Sequence, residues 1–214
     1  MANNCCFDMR ITGGEEEIKE LISMLQWKGK FENAGLGRVY SFDAEEIEKT
    51  DIPGVFQVNG YGDCAWSVLT AIQNYNGRHP SLESETGRLG LVVEVYSSEP
   101  GIGFQEHVLI AKGSVIESEC LDYQEHWVEG IGGLEAYNKE NGTEFTEDMV
   151  NCNGDVCIGG YGDSYGDFED VSEYFLPEKT KEPRSIDDQI AAAKDIKPVI
   201  GPDARVNDIE REER

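Results

Sequence analysis

Between Cys5 and Trp27 the apolar residues change their spacing, from rough alternation to helical periodicity. The stretch "CCFDMRI", Cys5–Ile11, reads as a strand. The next stretch, "EEEIKELISMLQW", sets Ile18, Leu21, Ile22 and Leu25 on one face of a helix. Glu15, Glu16 and Glu17 fall in its first turn, where the helix dipole favours negative charge. Thr12, three residues before Glu15, predicts a capping box. A strand running straight into an amphipathic helix commits the chain to a layered fold, with each element burying its apolar face on another.

The remaining segments extend that pattern. "GRVYSFD" and "GVFQVNG" read as strands, separated by a polar stretch and the break at Pro53-Gly54. "CAWSVLTAIQNY" places Trp66, Leu69, Ile72 and Gln73 at helical spacing. "GRLGLVVEVYSS" holds a buried strand around Leu91–Tyr96, and "GFQEHVLIAKGSVIESECLDY" reads as a hairpin turning near Lys112-Gly113. Glu117 and Glu119 then share one face of its second strand. A helical segment in "GLEAYNKENG" and a short helix in "DFEDVSEYF" follow. The expected fold is α+β, a mostly antiparallel sheet with helices packed on one face. Residues 1–176 form the expected acidic domain, a core over about 1–123 with an extension over 124–176. A Pro-containing linker and tail occupy 177–214, with one helix in "SIDDQIAAAKDI".

Gly-Tyr-Gly-Asp occurs twice, at Gly60–Asp63 and Gly160–Asp163. The flanks do not align, and neither copy has the glycine order or the lysine of a nucleotide loop. Glycine supplies positive φ and Asp bonds to its own backbone, so both copies are expected to be turns. Asp155, Asp163, Asp167, Glu169 and Asp170 surround the second copy, without EF-hand spacing.

Charge narrows the function. The chain carries 43 acidic and 18 basic residues, a formal net of −25. From Glu94 to Phe175 there are 19 acidic residues against Lys112 and Lys139 alone, so the charge belongs to the folded body. Such a field repels nucleic acid and anionic membrane, and it attracts basic protein surfaces. Glu outnumbers Asp 28 to 15, which argues against simple salt adaptation. No apolar run is long enough to span a bilayer, and the N-terminus has no secretory signal. The expected location is the cytoplasm. The six cysteines, Cys5, Cys6, Cys64, Cys120, Cys152 and Cys157, fit free thiols in a reducing compartment. Cys152 and Cys157 alone have a spacing near that of a zinc pair, so no cofactor is expected.

"MANNCCFDMRITGGEEEIKELI", "CAWSV" and "VEVYSSEPGIGFQEH" together resemble the YubB-type ferredoxin-like proteins of phages and plasmids. The shared elements are the opening Met-Ala-Asn-x-Cys segment, Ala65-Trp66-Ser67, and Glu99 to Phe104. The chain departs from that pattern at Asn4, where tryptophan is usual, and at Val68-Leu69, where prolines are usual. The resemblance implies a ferredoxin-like fold and a mobile-element origin; it implies no catalytic residue.

Charge and resemblance together give an expected function. The chain would be a phage inhibitor that binds a basic, nucleic-acid-handling host defence protein, such as a CRISPR effector. Its carboxylates would stand in for phosphates. The expected contacts are Glu117, Glu119, Asp122, Glu125 and Glu129, then Asp163, Asp167, Glu169 and Asp170. No direct nucleic acid or membrane contact is expected. One alternative is a small metal- or cysteine-dependent enzyme acting on a nucleotide signal or host factor, through Cys64 or His107. Another is an accessory protein whose acidity only keeps it soluble.

Overall fold

In the computed structural model, which describes residues 4–32, 35–73, 79–150 and 154–176, the alternation of Cys5–Ile11 is realised in a ten-residue strand, β1 (Asn4–Gly13). Cys5, Phe7, Met9 and Ile11 are all buried. The helix α1 (Glu15–Leu25) follows and buries Ile18, Leu21, Met24 and Leu25. The chain continues through β2 (Val39–Ala44), the two-residue β3 (Glu48–Lys49), β4 (Phe56–Ala65), α2 (Leu82–Leu89), β5 (Val92–Glu99) and β6 (Phe104–Ala111). Then come β7 (Ser114–Trp127), α3 (Leu134–Asn141) and β8 (Asp155–Gly159). The strands form an antiparallel sheet in the order β2-β4-β1-β5-β6-β7-β8, with β3 pairing to β4. The fold is α+β.

β1 lies between β4 and β5, so its register fixes which residues share a face. Met9 is opposite Val95, and Val95 is opposite Val108. Phe7, Met9, Ile11, Val93, Val95, Val108 and Ile110 join Ile18, Leu21 and Leu25 of α1 and Leu82 of α2 in one apolar cluster. Each such side chain contributes roughly 1.5–3 kcal/mol when fully buried. The hairpin turns at Lys112 and Gly113, both at positive φ (49° and 85°), as a two-residue loop of the primed type requires.

Three local expectations change. Thr12 is not a cap: it stays in the β1 ladder opposite Gln57 and Val92, and the N-cap of α1 is Gly14, with no side-chain cap bond. A reciprocal cap instead opens α2, where Ser81 and Ser84 bond each other's backbone N–H. The helix expected from Trp66 shortens to a single π-turn, Leu69–Gln73, and Trp66 itself sits at φ 67°. The helix expected in "DFEDVSEYF" is only a 3₁₀ turn, Ser172–Tyr174. The tail helix expected in "SIDDQIAAAKDI" lies outside the described residues.

The two Gly-Tyr-Gly-Asp copies differ. The first lies inside β4 and is paired on both sides, to β1 and β2. Glycine is needed there for space. A Cβ at Gly62 would press into the Ser41 carbonyl and come within 2.7 Å of the Phe7 ring, and one at Gly60 would lie 2.8 Å from the Asp43 carbonyl. The second copy is a turn, with Gly159, Gly160 and Gly162 at φ 75°, 67° and 54°. The same four residues thus meet two different demands.

Candidate functional site: a strapped polar face

Alternation places the other half of each strand on the opposite face. Asp8, Arg10 and Thr12 of β1 share it with Glu94 and Tyr96 of β5, Gln105 and His107 of β6, and Glu117 and Glu119 of β7. A segment of irregular backbone, residues 160–176, crosses this face as a strap. It leaves β8 through the glycine turn, where Gly160 N–H donates to the Asp122 carbonyl at 2.8 Å and Tyr161 N–H to Gln105 Oε1 at 2.8 Å. Aromatic rings then gather on Tyr96: Tyr161 at 5.3 Å, Tyr165 at 5.5 Å and Phe168 at 5.8 Å between centroids. The Arg10 guanidinium lies 4.7 Å over the Phe168 ring. Val171 packs with Val92, Leu109 and Ala111, and Lys112 donates to the Tyr174 carbonyl at 2.6 Å.

Beneath the strap lies a buried ionic group. Glu94 is 1% exposed; its Oε1 is 2.9 Å from His107 Nε2, and its Oε2 accepts from Glu169 N–H at 2.8 Å. His107 stacks on Tyr96 at 4.3 Å, and its Nδ1 lies 3.6 Å from Glu117 Oε1. Burial alone would pull the imidazole down; the bond and charge of Glu94, joined by Glu117 and Glu169, outweigh it and hold His107 above its usual range. Burial, then the charges of Glu94, Glu169, Glu117 and Asp167, push the Tyr96 phenol up to about 12. Burial and the neighbouring Glu119 push up Tyr161, whose hydroxyl donates to Glu119 Oε2 at 3.3 Å. The site is therefore an aromatic and carboxylate cluster around one shielded histidine.

The nine residues expected to meet a partner divide by position. Glu117 from β7 and Asp167 and Glu169 from the strap, about fifty residues later in the chain, all act on the Tyr96 phenol, Glu119 accepts from the Tyr161 hydroxyl, and all four carboxylates are exposed. Asp170 is exposed at the far end of the strap, where it accepts from Ser172 N–H, and Asp163 lies in the 3₁₀ turn Gly162–Ser164. Asp122 and Glu125 lie in the second half of β7 and Glu129 just beyond it, and Glu125 accepts from the Tyr123 hydroxyl. Sequence reasoning did not find the roles of Glu94 and Tyr96. Their signal was a carboxylate and a phenol within the apolar run from Leu91 to Tyr96.

Cys64 and His107 do not form a nucleophile–base pair. Cys64 is opposite Cys5 on the apolar face, both fully buried, whereas His107 is on the strapped face. The bond to Cys5 and burial push the Cys64 thiol far up, the reverse of what a thiolate nucleophile needs. Glu106 is also on the apolar side. It accepts from Val68 N–H at 2.8 Å and the Ser97 hydroxyl at 2.9 Å, and so fixes the start of the π-turn. Among the described residues no three His, Cys, Asp or Glu side chains are grouped to hold a metal ion, and Cys152 lies outside them. No described helix is long and apolar enough to cross a membrane. Comparison of the chain with protein-family models, curated proteins and solved structures finds no match.

Proposed function

We propose that this chain is a phage or mobile-element inhibitor that binds a basic, nucleic-acid-handling host defence protein, with a CRISPR effector as one candidate. Glu117, Glu119, Asp167 and Glu169 occupy that partner's phosphate-binding groove. The observation that carries this reading is the convergence of these four exposed carboxylates, from two distant segments, on one buttressed face. The strap fixes the Glu169 backbone through Glu94, and Tyr161 steadies Glu119. Preorganised carboxylates lose little freedom on docking against Arg and Lys side chains, which is what a phosphate mimic requires.

The ferredoxin-like reading belongs to the same proposal. An order of β2-β4-β1-β5, with α1 linking β1 to β2 and α2 linking β4 to β5, supports a βαββαβ unit over the first half of the chain. β6, β7, β8 and the strap are then additions to it, and they carry the acidic face.

Affinity capture from a nuclease-treated bacterial lysate, followed by a salt gradient, tests the reading. The expected result is a basic nucleic-acid-binding protein released by moderate salt. Its affinity should fall at least about tenfold between roughly 50 and 500 mM salt, as the pairing charges are screened. Combined Glu117→Gln, Glu119→Gln, Asp167→Asn and Glu169→Gln should abolish capture. A complex indifferent to both salt and these substitutions would sink the mimic.

A further inference from the structure

A cavity of about 550 Å³ opens where the strap crosses β1, beside the loop that joins β3 to β4. It falls within the range of about 300–1,000 Å³ common for small-molecule sites. Its chemistry is set by one cation and one hydroxyl. Arg10, half-buried in the wall, bonds Asn59 Oδ1 through Nε at 3.0 Å and lies over Phe168. Among the described residues its two terminal nitrogens have no hydrogen-bond partner, and no carboxylate lies within 4.0 Å of it. That is unusual in a chain of net charge −25. Beside it Thr12, 4% exposed, carries a buried hydroxyl with no hydrogen-bond partner. Thr12 lines the cavity, and a 120° step about χ1 to another staggered rotamer moves that hydroxyl within its wall.

The rest of the lining divides in two. Val55, Val171 and Phe175 form an apolar wall, while Asp51, Glu169 and Asp170 stand exposed at the rim. A purely anionic ligand would meet three carboxylates on entry, and a purely cationic one would meet Arg10 inside. A ligand that carries both charges on either side of an apolar group satisfies every part of the lining.

The geometry points to a binding site for a small zwitterion of the amino-acid or dipeptide class. Its carboxylate lies on the free fork of Arg10 and the Thr12 hydroxyl, its ammonium faces the rim, and its apolar side chain lies against Val171 and Phe175. The fork suits a carboxylate because two parallel N–H donors match its two oxygens. Such a ligand would bridge β1 and the strap, and so hold the strap down. This site shares Glu169 with the acidic partner face but none of Glu117, Glu119 and Asp167, and its test leaves all four residues unchanged.

Calorimetry and NMR titration of the full chain with L-leucine, L-phenylalanine and leucylleucine are the test, with isoamylamine and N-acetyl-leucine as probes lacking one charge. Saturable binding of at least one zwitterion is expected, with shifts at Arg10, Thr12 and Val171. Both single-charge probes should bind at least about tenfold more weakly, the cost of one lost charge-assisted contact. Arg10→Gln should produce a loss of similar size, and Arg10→Lys a smaller one. The probe series uses the unmodified chain, so it decides the matter even if the Arg10 variants fold poorly. No saturable binding at millimolar concentration would overturn the assignment. So would equal binding of isoamylamine or N-acetyl-leucine, or leucine binding unchanged in a folded Arg10→Gln chain.

Discussion

The two faces of the sheet are built from the same strands and held by different physics. On one face Phe7, Met9, Ile11, Val95 and Val108 meet residues of α1 and α2 in an apolar cluster. On the other, one residue along, Asp8, Arg10, Tyr96 and His107 meet a strap with no regular secondary structure beyond two short 3₁₀ turns. The first face is stabilised by area removed from water, a non-directional effect tolerant of changes in detail. The second depends on particular partners: Glu94 serves both His107 and the backbone of Glu169. Removing one member leaves the others buried and unsatisfied. The helix face therefore sets global stability, and the strapped face sets the position of the functional groups.

Truncation on the helix face should have the largest effect. Phe7 is 1% exposed and stacks on Phe42 at 6.0 Å, so Phe7→Ala is expected to cost about 3–5 kcal/mol in urea denaturation. Gly62→Ala presses a methyl into that same ring and the Ser41 carbonyl, with an expected cost of about 1–3 kcal/mol. A Gly62→Ala protein as stable as the parent would show that β4 is looser than its pairing implies.

On the strapped face pH gives a signed prediction. His107 is held above its ordinary 6.5 in the folded chain, so folding favours the protonated imidazole. Its stabilisation is fully present below pH 6.5 and is lost as pH rises through the raised value. Denaturation midpoints should fall over that interval, and His107→Gln should flatten the fall. Glu94→Gln removes the main source of the raised value, so NMR titration should find the imidazole pKa lower in that variant. Lys112→Met should have the smallest effect, below about 1 kcal/mol, since its bond to Tyr174 and its contact with Phe175 are at the surface. Hydrogen exchange should report it as faster opening near Tyr174, with the helix face unchanged.

How far the fold was legible depended on whether the signal was local. β1 and α1 were readable because a change of period within twenty residues reports two elements and their contact. The hairpin at Lys112-Gly113 was readable from its turn residues. α2 was missed because "LESETGRL" is polar almost all round, although Ser81, Ser84 and the left-handed Gly90 mark its ends. Thr12 misleads because the capping pattern spans only four residues, whereas the strand ladder that overrides it runs the length of β1. Of the candidate site, Glu117 and Glu119 were placed on one face by alternation alone, but nothing local joined them to Asp167 and Glu169.

The sequence by itself determined the α+β class, the alternation that gives the strands two faces, and an acidic body with few cations. These follow from period and composition, which act within a few residues. Only the tertiary structure decided that one Gly-Tyr-Gly-Asp is a strand and the other a turn, because the choice depends on whether Phe7 and Ser41 crowd the glycines. Only it brought Tyr161, Tyr165 and Phe168 onto Tyr96, and left the Arg10 fork, among the described residues, without a carboxylate partner. Contacts between residues so far apart in the chain are set by which surfaces remain to be covered once the sheet has formed, and no short stretch of sequence records that.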